Sequence, residues 1–137
     1  MATNIFSRLT DHMYKKWGLT TDTEDQIYSL AVIEGDVKFL YAKNFFKSEA
    51  SREDAILFLF EENRVRTVKF LDDGSIAIET YPLSSIRKVS LNHKDRGFSI
   101  LKIDFDKDVS ITLDSHSDSD HKSGELQKMI LEIYKTL

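Results

Sequence analysis

The sequence has no cysteine, a single proline and five glycines among 137 residues. Without cysteine there can be no disulfide, no cysteine-ligated zinc, no thiol nucleophile and no thiol redox switch. A reducing, cytoplasmic location is the default for such a chain. Long apolar runs are missing too. The longest, residues 55–60, is far short of the roughly 20 residues that a membrane helix needs. Arg8 and Asp11 interrupt the first apolar stretch, so no signal-peptide core is expected. A basic excess is also absent. The balance of 19 Lys and Arg against 23 Asp and Glu gives a net charge of -4, which argues against a sequence-independent nucleic-acid binder. Catalytic signatures do not appear either: there is no glycine-rich phosphate loop, no HExxH spacing and no serine on a strained elbow.

The chain does hold enough apolar residues for a folded core, 41% of the total, and its length fits one domain spanning residues 1–137. Ile5, Leu9 and Met13, with Phe6 and Trp17 beside them, predict a helix over residues 3–17 that ends at Gly18. A second helix is expected from Thr23, with Gln26 completing a capping box and Ile27, Leu30 and Ala31 on one face. Gly35-Asp36 marks a turn, and the period then changes from helical to alternating. Strands are expected at residues 37–46, 55–60, around Val65, Val68 and Phe70, at Ile76–Thr80, and at 86–91. Asp72-Asp73-Gly74 is a hairpin signal, and Pro82 ends a strand because it has no backbone donor. Residues 92–97 read as a polar connection. Leu101, Ile103 and Phe105, turned by Asp106-Lys107-Asp108 onto Val109, Ile111 and Leu113, form a hairpin with one buried face. Leu126, Met129, Ile130, Ile133, Tyr134 and Leu137 follow helical spacing and predict a final helix packed on the sheet.

About seven strands followed by one amphipathic helix make an α+β chain. Its order resembles the bacterial pleckstrin-homology (PH) and GRAM-like pattern. The resemblance rests on residues 37–48, 55–71 and 78–91, and on the segment Tyr81-Pro82-Leu83-Ser84-Ser85-Ile86-Arg87-Lys88-Val89. It covers residues 37–137 and leaves residues 1–34 as a helical extension. It implies a bent sheet or partly open barrel of antiparallel strands, closed by the C-terminal helix. That scaffold hosts lipid, peptide and protein ligands alike, so it does not fix function.

The resemblance directs attention to cations near the first hairpin, where related domains hold phosphorylated headgroups. Lys43, Lys47, Arg52, Arg64 and Arg66 are the candidates, with Glu49, Glu53 and Asp54 diluting their charge. A solvated strand face is the plainer reading of the same residues. Asp114, His116, Asp118, Asp120 and Glu125 have oxygen ligands at EF-hand-like spacing. Against a metal site, Ser119 stands where the loop needs glycine, His121 replaces an apolar residue, and a strand enters the loop. A polar connection capped by Ser119, Asp120 or Ser123 accounts for this stretch, and no cofactor is expected. His93 with Ser84, Ser85, Ser90 or Asp95 could be drawn as a catalytic set, but no motif supports it, nor one for His12, His116 or His121. Phe6, Trp17, Lys15 and Lys16 suit a helix that lies on a membrane surface or packs on protein; packing is the expectation. The sequence thus predicts a non-enzymatic interaction or regulatory module. Its partner would be a protein, with a second copy of the chain included. The alternative is an anionic-lipid or phosphate-headgroup binder in peripheral contact with a membrane.

Overall fold

The structure, a computed structural model, describes residues 7–33 and 35–137. Two helices come first, α1 (Ser7–Trp17) and α2 (Thr21–Val32). Seven strands follow: β1 (Phe39–Lys43), β2 (Ile56–Phe60), β3 (Arg64–Phe70), β4 (Ile76–Pro82), β5 (Ile86–Lys94), β6 (Phe98–Phe105) and β7 (Ser110–Asp114). Helix α3 (Ser123–Thr136) ends the chain. The strands form two antiparallel sheets, β1-β2-β3-β4 and β5-β6-β7, and do not close a barrel.

The register explains why β2 is apolar throughout. Leu57 lies opposite Ala42 and Val68, and Leu59 opposite Leu40 and Arg66, so these share one face. Tyr41, Phe58 and Thr67 occupy the other. The first face packs on Leu9, Met13, Leu30 and Ile33 from the N-terminal helical region. The second packs on Leu101, Ile103, Ile111 and Leu113 of the second sheet and on Leu126, Ile130 and Ile133 of α3. A sheet covered on both sides buries consecutive residues of its inner strands, which removes the alternation. Each of the three α3 side chains contributes about 1.5–3 kcal/mol by burial, before ordering entropy is charged.

The two N-terminal helices therefore build one of the two apolar clusters. Ile5 and Phe6, used to predict the first helix, lie outside the described residues. Helix α2 starts earlier than the capping-box reading allows. Thr20 is its N-cap, accepting from Thr23 N at 3.2 Å. Gln26 is buried and donates to the carbonyls of Leu71 and Ser75 at 2.7 and 3.0 Å, so it serves the β3–β4 turn instead. Ala31 is exposed. Gly74 fits that turn for two reasons: its φ is +87°, and a Cβ there would stand 2.7 Å from Asp22 Oδ1.

Strand β1 stops at Lys43 because Asn44 takes a left-handed φ of 63°. Strand β5 runs to Lys94, through residues expected to be loop, and the reversal is confined to Asp95, Arg96 and Gly97, the last two with φ of 66° and 90°. In the last hairpin Lys107 and Asp108 both have positive φ, near 62° and 61°, which suits the right-handed twist of the flanking strands. The N-cap of α3 is Lys122, without a side-chain bond; Ser119 Oγ accepts from Lys122 N at 3.0 Å.

Candidate functional site

The five cations singled out in the sequence do not converge. Lys43 Nζ donates to Asp118 Oδ1 at 2.7 Å and to the Thr112 carbonyl at 3.0 Å, tying β1 to β7. Arg52 donates to Gln26 Oε1 at 3.0 Å and Thr23 Oγ1 at 3.2 Å, with its guanidinium 5.1 Å from the Trp17 ring centroid. Arg64 and Arg66 share the buried carboxylate of Glu61. Arg66 also donates to the Ile33 carbonyl at 2.8 Å, which is the C-cap of α2. A cation at a helix C-terminus satisfies orphan carbonyls and opposes the helix dipole. Arg66 is therefore a clamp between sheet and helix.

Lys47 has different company. It lines a cavity of about 420 Å³ with His12, Lys15, Lys16, Phe46, Ser48 and Asp120. His12 Nε2 lies 2.6 Å from the Phe45 carbonyl, so this nitrogen carries the proton. Burial holds His12 below the usual histidine range, and Lys16 and Lys15 push the same way against the hydrogen bond to Phe45. Lys16 donates to the Lys47 carbonyl, and its own pKa is lowered by burial. Asp120 accepts from Ser48 N at 2.8 Å, which keeps its carboxyl below the usual range. Lys15 and Lys16 stood out in the sequence as a helix pair. Only the folded chain sets them beside Lys47, 31 residues from Lys16 along the chain.

The acidic residues after β7 face different partners. Asp114 Oδ1 accepts from His116 N and Ser117 N at 3.0 and 3.1 Å. Asp118 is buried under Tyr41, Lys43 and Asp114 N. Glu125 reaches Arg8 and Lys122 at 3.8 and 3.9 Å. Among the described residues, no three His, Asp or Glu groups are placed to hold a metal ion.

Among the histidines, His93 does meet a serine, but it is Ser99, at 2.9 Å from Nδ1. Ser99 is buried and also accepts from Gln127 Nε2 at 3.0 Å, a contact that ties the β5–β6 hairpin to α3. Ser85 Oγ donates to the Pro82 carbonyl at 2.8 Å. His116 stacks on the half-exposed Phe98 with ring centroids 4.5 Å apart.

The remaining feature is made of backbone. In an antiparallel ladder, residues whose N–H and C=O point to the partner strand alternate with residues whose groups point away. Leu83 N donates to Asn63 O at 2.9 Å and Leu71 N to Ser75 O at 3.0 Å, which fixes the phase of the β3–β4 ladder. Ala77, Glu79 and Tyr81 therefore direct their backbone groups at β3. Ile76, Ile78 and Thr80 direct theirs outward, where no backbone partner exists among the described residues. Ile78 is 41% exposed. The signal legible in the sequence was composition. Strand β4 has one charge, Glu79, whereas β5 carries Arg87, Lys88 and Lys94.

No helix among the described residues is long and apolar enough to cross a membrane. No curated protein and no solved structure matches the chain. Residues 13–128 match the family model described as "Protein of unknown function (DUF3908)". That span takes in both sheets, α2 and the start of α3, and the chain belongs to the DUF3908 family.

Proposed function

We propose that this chain is a non-enzymatic, cytoplasmic interaction module on a pleckstrin-homology-like scaffold, and that it docks an extended strand along β4. The scaffold reading is supported by chain order: a four-stranded meander, a corner at Pro82–Ser85, a three-stranded meander, and a helix across the second sheet. The docking reading rests on the outward backbone groups of Ile76, Ile78 and Thr80. An edge that carries a single charge, Glu79, is a template for another strand. Strand β5, by contrast, carries the lysines that keep edges apart.

Selection of extended peptides from a random library against dilute full-length protein tests this reading. Binders are expected whose affinity disappears in Thr80→Pro, which deletes an outward donor and leaves the β3 ladder intact. A library that yields no binder, or binders indifferent to Thr80→Pro, overturns it.

A second reading, recognition of anionic headgroups, is favoured by Lys15, Lys16 and Lys47 around one cavity. Cations of this kind contribute about 1 kcal/mol each at an anionic surface. Co-sedimentation with phosphatidylserine vesicles at low salt, lost at high salt and in Lys15→Ala/Lys47→Ala, is the expected result. Absence of binding at low salt removes this reading.

A further inference from the structure

We infer that the cavity between the first sheet and the free edge of β7 binds a free α-amino acid with an apolar side chain. The inference does not rest on the docking reading, which concerns the outward backbone of β4.

The cavity measures about 290 Å³ and lies where the two sheets stay open. That volume is at the small end for ligand pockets and suits one compact molecule. Ile56, Phe58, Val109 and Ile111 give it an apolar lining. Polar groups reach it from the same face of the first sheet. The register sets Lys43, Ile56 and Lys69 in one row across β1, β2 and β3. Phe58, Thr67 and Glu79 form the next row, across β2, β3 and β4.

Charge decides the class of ligand. Lys43 is already neutralised by Asp118. Lys69 and Glu79 line the cavity one row apart, yet among the described residues neither has an oppositely charged partner within 4.0 Å. One unpaired cation beside one unpaired carboxylate complements a zwitterion whose two charges sit on a single carbon. The cavity around Lys15, Lys16, Lys47 and Asp120, with its excess of cations, suits an anion instead.

The uncharged groups agree. Thr67 is 5% exposed, and its hydroxyl has no partner among the described residues. That oxygen is not sealed from solvent, so it opens on the cavity its residue lines. A polar group held this way is satisfied by water or by a ligand. Tyr81 donates to Glu79, and burial, then this carboxylate, keep its hydroxyl protonated. Strand β7 adds backbone donors. Asp114 N donates to Asp118 Oδ2 at 2.9 Å and Asp118 N to Asp114 O at 3.0 Å, so Asp114 points away from β6. By alternation Thr112 and Ser110 point the same way. Lys43 occupies the Thr112 carbonyl, and the N–H groups of Ser110 and Thr112 have no partner among the described residues. Lys69 and these amides would hold the ligand carboxylate, Glu79 its ammonium, and the apolar lining its side chain.

Calorimetric titration of the full-length protein with L-leucine and L-phenylalanine tests the site. Saturable binding of one molecule per chain is expected. The amides and the N-acetyl derivatives of both each lack one charge and should bind about tenfold more weakly, or less. Lys69→Met and Glu79→Gln, at exposed positions, should keep the fold and weaken binding by about the same factor. Thr67→Val preserves the strand and should cost about threefold. Amide shifts on binding should map to β3, β4 and β7. Failure of both amino acids to bind overturns the inference. So does binding that survives loss of either ligand charge, that ignores Lys69→Met and Glu79→Gln, or that shifts amides elsewhere in the chain. Peptide binding dependent on Thr80 is read separately, so either result can stand without the other.

Discussion

The Tyr41 hydroxyl donates to Asp118 Oδ2 at 2.7 Å, joining residues 77 positions apart. Tyr41 is fully buried on β1, and Asp118 lies in the connection between β7 and α3. The same carboxylate accepts from Lys43 Nζ at 2.7 Å and from Asp114 N at 2.9 Å. The Asp118 carbonyl accepts from Asn44 N at 2.8 Å. Burial first, and the neighbouring Asp118 second, push the Tyr41 hydroxyl far above its ordinary range, so it stays a donor. Asp118 thus fastens the first strand to the approach of the last helix.

Asp118→Ala is expected to destabilise the fold by about 3 kcal/mol, at the low end for a broken buried pair because Lys43 keeps some solvent. Tyr41→Phe leaves the Lys43 contact and should cost about 1–2 kcal/mol. Urea denaturation of both variants checks the order. A milder effect for Asp118→Ala than for Tyr41→Phe would refute Asp118 as the hub.

Arg66 is predicted to be structural and not a ligand contact. Arg66→Met leaves Glu61 with Arg64 alone and removes the donor to the Ile33 carbonyl, with an expected loss of about 3 kcal/mol. Amide exchange should accelerate mainly in the last turn of α2. Adding Glu61→Leu is expected to recover part of the stability, since an apolar pair avoids the desolvation of a carboxylate left with only the half-exposed Arg64. Unchanged exchange in α2 would show that the clamp is not what orders this helix.

His12 should give stability an acid-side dependence. Its folded pKa is lowered, chiefly by burial, so the unfolded chain binds the proton more readily. The contribution is complete above the unfolded value of about 6.5 and is lost as pH falls through the folded value. Besides Lys15 and Lys16, Asp120 lines the same cavity, and its own pKa is lowered by the Ser48 hydrogen bonds, so it titrates at more acid pH. His12→Gln keeps a donor for the Phe45 carbonyl and removes this titration. Its stability is expected to vary less between neutral pH and the onset of carboxylate titration, as read from urea midpoints; identical profiles would count against the prediction.

Local pattern carried most of the element assignments. The alternation of Leu101, Ile103 and Phe105 against Lys102 and Asp104 places alternate side chains in water, and β6 shows that alternation. The α3 stripe was equally legible because three- and four-residue spacing makes one helix face. The misplaced boundaries have specific causes. Residues 92–94 look like loop by polarity, yet they pair with Ile100, Ser99 and Phe98 at the exposed edge of the second sheet. Thr23 and Gln26 look like a capping box, yet both are buried against the β3–β4 turn and Arg52.

The sequence by itself determined an α+β chain of alternating strands with a packed terminal helix, because periodicity depends only on near neighbours. It also bounded the chemistry, through the absence of cysteine. The tertiary structure decided what each charge does. Arginine near a turn reads as a phosphate ligand until Glu61 and the end of α2 are beside it, and the Asp114–Asp120 carboxylates read as metal ligands until Tyr41 and Ser48 claim two of them. The partners of those groups lie far away in the chain, and the burial that makes such pairings consequential exists only after the layers have packed.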